Sequence, residues 1–417
     1  MKKTLIMLCA AAMLLTACHK TDEAEPENGT AARTVLIYVA GDNNLSGKEG
    51  GLNFFRYDMK QIMEGTRDLS TVNKVVLFVD CYDSRPYFLQ VEKGDTLRLR
   101  TMDREMKSSD PETLHEAMSY AVEHFPAESY GLVLWGHADG WITRSANGGP
   151  RRAYGKDDTG GVTWMEIPDM ARTLASLPKL KFIFADCCAF LCVENAYELR
   201  QCADYIIGSP AEIPGEGAPY QNVVPAMFGA GDDFYKSVID FYAAQASDGY
   251  KVPLAAVKCS EMDNLAQATA TTLATIAGDI APDDDGCRYP DVKGLIFYYD
   301  HTQFDMQDFM LRYASDDQYA EWKRAFDKAV PYHTYASVWM ANHVMYSSKY
   351  VFSDFNPEER RMGTMGMFVP QRESDAVWWD SRYVVNLGVI NTSVGKLNSS
   401  IKNMQWYGAA HLSDLGW

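Results

Sequence analysis

Residues 180–200, LKFIFADCCAFLCVENAYELR, narrow the folding options of this chain more than any other stretch. Phe182, Ile183 and Phe184 form an unbroken β-favouring run that suits a strand buried on both faces. Glu194, Ala196, Glu198 and Leu199 then follow the helical period. Between the two, Asp186, Cys187 and Cys188 occupy a corner at the carboxyl end of the strand, near an expected helix N-terminus. The dipole there is expected to lower a thiol pKa from about 8.5 and favour a nucleophilic thiolate. The competing reading makes Cys187 and Cys188 ordinary core thiols, since free cysteine is among the most buried residue types.

A second strand-to-corner pattern appears at residues 130–141, YGLVLWGHADGW. Its apolar run ends on Gly136-His137-Ala138-Asp139-Gly140, so two parallel strands could present His137 and Cys188 at one edge. Residues 35–40, 75–80 and 205–208 are further strand-like runs. Residues 51–64, 110–124 and 165–177 have the helical period between them, the second opened by the capping signal Asp110-Pro111-Glu112. Strands alternating with helices over residues 34–210 predict an α/β three-layer sandwich with a mainly parallel sheet and its chemistry at the strand carboxyl ends.

These corners are similar to those of the clostripain family of cysteine peptidases, in the caspase-like clan. The resemblance rests on TVLIYVAGDNNL at 34–45, LVLWGHADGW at 132–141, FADCCAFLCVENAYEL at 184–199 and GTMGMFVP at 363–370, and it covers most of the chain. The fifty-one residues between His137 and Cys188 are also close to the roughly fifty of the caspase-type arrangement. The resemblance implies that Cys188 is the nucleophile and His137 its partner, and that Asp186 forms a wall of the pocket for a basic side chain. It also implies oxyanion contacts from the backbone of Ala138 and Cys188, and substrate contacts from Ser209 and Glu216. Two departures stand out. Ala138 replaces the usual Gly, adding a methyl group that could crowd the oxyanion, and Pro210 and Ala211 stand where acidic residues are common.

The ends of the chain carry separate messages. Residues 1–18 combine Lys2 and Lys3, an apolar segment and a closing LTAC, which reads as a lipoprotein signal with Cys18 as the lipidation site. Residues 19–33 are polar and acidic, as in a flexible tether. The expected division is then a catalytic domain at 34–225 and an α+β region at 226–417 packed on it. A formal net charge of −17, becoming −19 once Lys2 and Lys3 leave with the signal, would repel nucleic acid and mildly attract a cationic peptide. The seven cysteines beyond Cys18 form neither a disulfide framework nor paired CxxC motifs, so no zinc is indicated. Asp283-Asp284-Asp285-Gly286 lacks the spaced ligands of an EF-hand and reads as a solvated turn, which leaves calcium dependence without a clear site. Trp378, Trp379, Trp406 and Trp417 read as aromatic core rather than as a ligand surface.

Together these features predict a cysteine endopeptidase cutting after Arg or Lys, with no cofactor, lipid-anchored at the bacterial cell envelope, on the outer membrane. The basic loop at 141–161 contains Arg151 and Arg152, which makes it a candidate for self-cleavage after Arg152 or, failing that, Arg151. The alternative is an inactive peptidase-fold lipoprotein that binds peptide or glycan.

Overall fold

The computed structural model describes residues 29–47, 52–142, 153–245, 251–299, 303–340, 358–372 and 394–417. Nine strands make the main sheet: β1 (Ala31–Gly41), β2 (Asn73–Cys81), β3 (Tyr87–Glu92), β4 (Asp95–Thr101), β5 (Ala127–Gly136), β8 (Leu180–Asp186), β9 (Ala203–Gly208), β10 (Ala255–Lys258) and β13 (Tyr332–His333). Their order is β13-β10-β9-β8-β5-β1-β2-β3-β4. The five central strands, β9 to β2 in that order, pair in parallel, and two antiparallel strands extend the sheet at either end. A ribbon of β6 (Tyr154–Asp157) and β7 (Thr163–Met165) lies beside the histidine corner. β11 (Phe297–Tyr299), β12 (Gln303–Asp305) and β14 (Gly366–Met367) form a further small sheet.

Burial on both faces explains why the parallel strands are apolar throughout. Along β1, Leu36, Tyr38 and Ala40 join the core under α2 (Pro111–His124), α3 (Ile167–Ala175), α4 (Val193–Leu199) and α7 (Met262–Asp279). Val35, Ile37 and Val39 join the opposite core, under α1 (Phe54–Thr66), α5 (Tyr220–Ala226) and α6 (Phe234–Ala244). The expected layered α/β sandwich is therefore present. At α2 the side chain of Asp110 accepts from Glu112 N–H at 3.1 Å with Pro111 in the first turn, the physical content of the Asp-Pro-Glu signal.

The chain beyond residue 225 adds two strands to this same sheet, β10 antiparallel to β9 and β13 antiparallel to β10. Its Asp283–Gly286 segment is a turn in which Arg372 Nε donates to Asp283 at 2.6 Å and Tyr289 OH to Asp285 at 2.7 Å. Trp406 and Trp417 are buried, as aromatic core should be, while Trp378 and Trp379 lie outside the described residues. No helix among the described residues is long and apolar enough to cross a membrane.

Candidate active site

Trp135 of β5 faces Asp186 of β8 on one parallel rung. His137 and Cys188 each follow that rung by two residues, so both corners leave the sheet at the same height. Gly136 makes the turn possible, because at its φ of 147° a Cβ would stand 2.8 Å from the Ala40 carbonyl. Alternation along β8 then separates the adjacent cysteines. Phe182 and Phe184 belong to the core under α1, α5 and α6, the face of Asp186, whereas Ile183, Ala185 and Cys187 belong to the opposite core. Cys187 is fully buried in that core and Cys188 is half-buried at the edge.

The His137 ring is held from two sides. Its Nε2 lies 3.0 Å from Asn44 Oδ1, and its ring centroid is 6.4 Å from that of Trp164. Gly155 N–H donates to the His137 carbonyl at 2.9 Å and Asp139 N–H to that of Ala153 at 3.1 Å, with Ala138 and Tyr154 paired between them. This is the wide pair of an antiparallel bridge, so the Ala138 N–H points away from β6. Ala138 is buried and belongs to the same core as Trp141 and Tyr154.

Around Cys188 the chain turns sharply through Ala189, which adopts a left-handed φ of 54°. Ala189 N–H and Leu191 N–H donate to Ala211 and Ser209 at 2.9 Å, and Ile213 N–H reaches the Cys188 sulfur at 3.5 Å. No hydrogen bond among the described residues spends the N–H of Cys188 or of Ala138 on a backbone acceptor. The expectation of a lowered thiol pKa is overturned. Burial pushes the Cys188 thiol well up, and Glu212, Asp139 and Asp186 add to this against the Ile213 hydrogen bond. The dipole cannot compensate, because α4 begins only at Val193 with Cys192 as its cap. Asp186 therefore does not cap that helix either.

Asp186 is 3% exposed. Its Oδ2 accepts from Ala218 N–H at 3.1 Å and Tyr220 OH at 2.8 Å, and its Oδ1 from Tyr242 OH at 2.9 Å. Burial raises its pKa despite these three donors. Gly217, at φ 58°, lies so close that a Cβ would sit 2.7 Å from Oδ2. Ser209 is buried, and its hydroxyl accepts from Ala211 N–H at 3.0 Å. Glu216 is exposed on the loop above. Cys18, Arg151 and Arg152 lie outside the described residues.

The profile of the Clostripain family, Peptidase C11, matches residues 37–401. The chain belongs to this family of cysteine peptidases. Clostripain of Hathewaya histolytica is 24% identical over 222 residues, 46% of this chain and 41% of that protein, so the match spans less than half of that relative's length. A secreted C11 cysteine protease from Bacteroides thetaiotaomicron, solved with an irreversible peptide inhibitor, superposes with a TM-score of 0.70 at 26% identity, covering 92% of this chain and 99% of that one. An inactive zymogen C11 protease from Parabacteroides distasonis superposes with a TM-score of 0.72 at 29% identity and the same coverage of 92% and 99%.

In this clostripain-family chain the late residues hold both corners. Tyr299 OH donates to Asp139 Oδ1 at 2.7 Å, and Gln303 Nε2 donates to the Ala189 carbonyl. Gly140, at φ 80°, and Gly366 make room for that amide, since a Cβ at either would stand 2.5 Å from it. Gly366 N–H also donates to Leu191 at 3.1 Å, and the Trp141 and Phe368 rings meet at 4.9 Å. Sequence reasoning missed Asn44, Tyr299 and Gln303, because nothing in their local pattern distinguishes them from ordinary loop and strand residues. Only the GDNNL and GTMGMFVP stretches pointed towards their neighbourhoods. Among the described residues no group of three His, Cys, Asp or Glu side chains could hold a metal ion.

Proposed function

We propose that this clostripain-family chain hydrolyses peptide bonds after Arg or Lys, with Cys188 as nucleophile and His137 as its proton-transfer partner. The supporting observation is the shared rung of Trp135 and Asp186, which brings the two corners out at one level and sets Asp186 on the face of Cys188. Because burial keeps the resting thiol protonated, His137 removes its proton as the sulfur attacks the scissile carbonyl. His137 then returns that proton to the leaving amine as the C–N bond breaks, and water deprotonated by His137 cleaves the thioester, releasing the acid and restoring the thiol. Asn44 orients the ring by holding Nε2. The N–H groups of Cys188 and Ala138 receive the oxyanion, each worth about 3 kcal/mol when well aimed.

Asp186 takes the positive P1 side chain, with Gly217 and Ala218 moving aside to admit it, and Glu216 draws the cation towards the opening. Ser209 shapes this loop from within. Residues 1–18 direct export, Cys18 carries the lipid, and the mature protein stays at the bacterial envelope. Cleavage after Arg152 opens the cleft. A test of specificity compares matched peptides with Arg, Lys, Leu and Asp at P1. Asp186→Asn should lower kcat/KM for Arg by roughly ten- to a thousandfold, whereas equal turnover of all four peptides by the unaltered protein refutes the reading. Lipid labelling that persists in Cys18→Ser would remove the proposed anchor.

A further inference from the structure

Beneath Asp186 lies a second carboxylate that the proposed reaction has not used. Asp58, on α1, is fully buried on the same face of the sheet as Asp186 and Cys188. Its Oδ2 accepts from Trp135 Nε1 at 2.8 Å, and Trp135 is the residue that faces Asp186 across the rung. Its other oxygen, Oδ1, is buried with no hydrogen-bond partner among the described residues. No salt bridge among the described residues reaches Asp58 or Asp186. Asp186 and the exposed Glu216 both add negative potential at the Asp58 carboxyl.

A buried oxygen without a donor is costly, and a second buried carboxylate linked to it through Trp135 adds to the cost. Protonating Asp58 would ease the repulsion, and its carboxyl is indeed pushed up to about 8 by burial and then by Asp186 and Glu216, against the Trp135 bond that lowers it. A proton does not supply Oδ1 with a donor, however, since no described residue stands within hydrogen-bond reach of it. A cation bearing several N–H groups would offset the negative field and donate to Oδ1. The way in is the loop over Asp186: Gly215 lies against the Phe54 ring, a Cβ there standing 2.6 Å from it, and Gly217 lies on Asp186 itself. Small residues at both points let that loop yield to an entering side chain.

We propose that Asp58 is a specificity-determining residue, forming with Asp186 a two-carboxylate seat for the P1 cation of the substrate. This rests on the basic-P1 reading above. Asp186, which already accepts three hydrogen bonds, steers the cation, and Asp58 Oδ1 accepts its terminal N–H groups.

The experiment measures kcat/KM for four matched peptides with Arg, Lys, citrulline and norleucine at P1, using the unaltered protein and Asp58→Asn. Asparagine keeps an acceptor for Trp135 and removes the charge. Arg and Lys turnover should fall roughly ten- to a hundredfold while citrulline and norleucine turnover stays constant. Iodoacetamide alkylation of Cys188, which needs no P1 group, should be unchanged. An equal loss on all four peptides would mean a purely structural role and overturn the proposal, as would unchanged Arg turnover. Absence of a basic preference in the unaltered protein would overturn both this proposal and the reading it rests on. If Asp58→Asn does not fold, Asp58→Glu decides: it should retain the preference over citrulline and shift the Arg-to-Lys ratio, and an unshifted ratio refutes the seat.

Discussion

The side-chain amide of Gln303 donates to the carbonyl of Ala189, the left-handed residue immediately after Cys188. A residue 114 positions downstream thus braces the turn that exposes the nucleophile. Left-handed alanine costs on the order of 1 kcal/mol and persists only where its surroundings hold it.

Removing that brace should therefore damage catalysis more than folding. Gln303→Ala leaves a buried carbonyl without its donor, a loss of about 1–3 kcal/mol of stability. The predicted outcome is a folded protein with a lowered Tm and a fall in kcat that exceeds any rise in KM. Unchanged kcat alongside a lowered Tm would confine Gln303 to a structural role.

The protonation state of Cys188 gives a pH prediction. Its thiol is pushed well above the ordinary cysteine range by burial first and by Glu212 next, so the neutral form dominates at pH 7. Alkylation of Cys188 by iodoacetamide, followed by peptide mass spectrometry, should rise about tenfold per pH unit between pH 7 and 9. A plateau already reached at pH 7 would mean a preformed thiolate and contradict the general-base reading.

Much of this arrangement is legible in the sequence, for reasons that also explain the gaps. The runs at Phe182–Phe184 and Leu132–Trp135 are apolar on both faces, so strand, depth and the height of both corners follow from local chemistry. Alternation along β8 similarly separates Cys187 from Cys188. The expected lowering of the thiol pKa fails because the sequence suggests a helix N-terminus close behind the cysteine corner, whereas the chain spends Ala189–Cys192 pairing with residues from the next strand's loop and with Gly366. The hairpin of β3 and β4 was missed as well: β4 is exposed at nearly every position and so lacks the apolar stripe that marks a strand. Asn44, Asp58 and Gln303 act through contacts across long sequence separations, which no local period encodes.

Glu194 offers a stability test. It is fully buried on α4, its Oε1 accepting from Phe368 N–H at 2.8 Å, and burial raises its pKa from 4.5 to about 7. The folded state thus holds this proton more tightly than the unfolded one. Its contribution is present below pH 4.5 and is lost as pH rises through about 7. Glu194→Gln should remove that decline, raising stability at pH 8 by an amount on the order of 3 kcal/mol. Parallel Tm-versus-pH curves for the two proteins would refute this assignment.

Self-cleavage can be followed by N-terminal sequencing of fragments. The Ala153 carbonyl accepts from Asp139 N–H, so a terminus created after Arg152 would remain beside the histidine corner. A new N-terminus at Ala153 is expected in the active protein and absent from Cys188→Ala. A single intact chain with full activity would exclude activation by this cut.

The most direct test of the account treats the protein with a peptidyl-arginine chloromethyl ketone and locates the adduct by mass spectrometry. One adduct is expected, on Cys188, lost in Cys188→Ala, slowed in His137→Ala and retained in Cys187→Ala, with the matching leucyl reagent reacting far more slowly. An adduct on Cys187, or equal labelling by the arginyl and leucyl reagents, would contradict it.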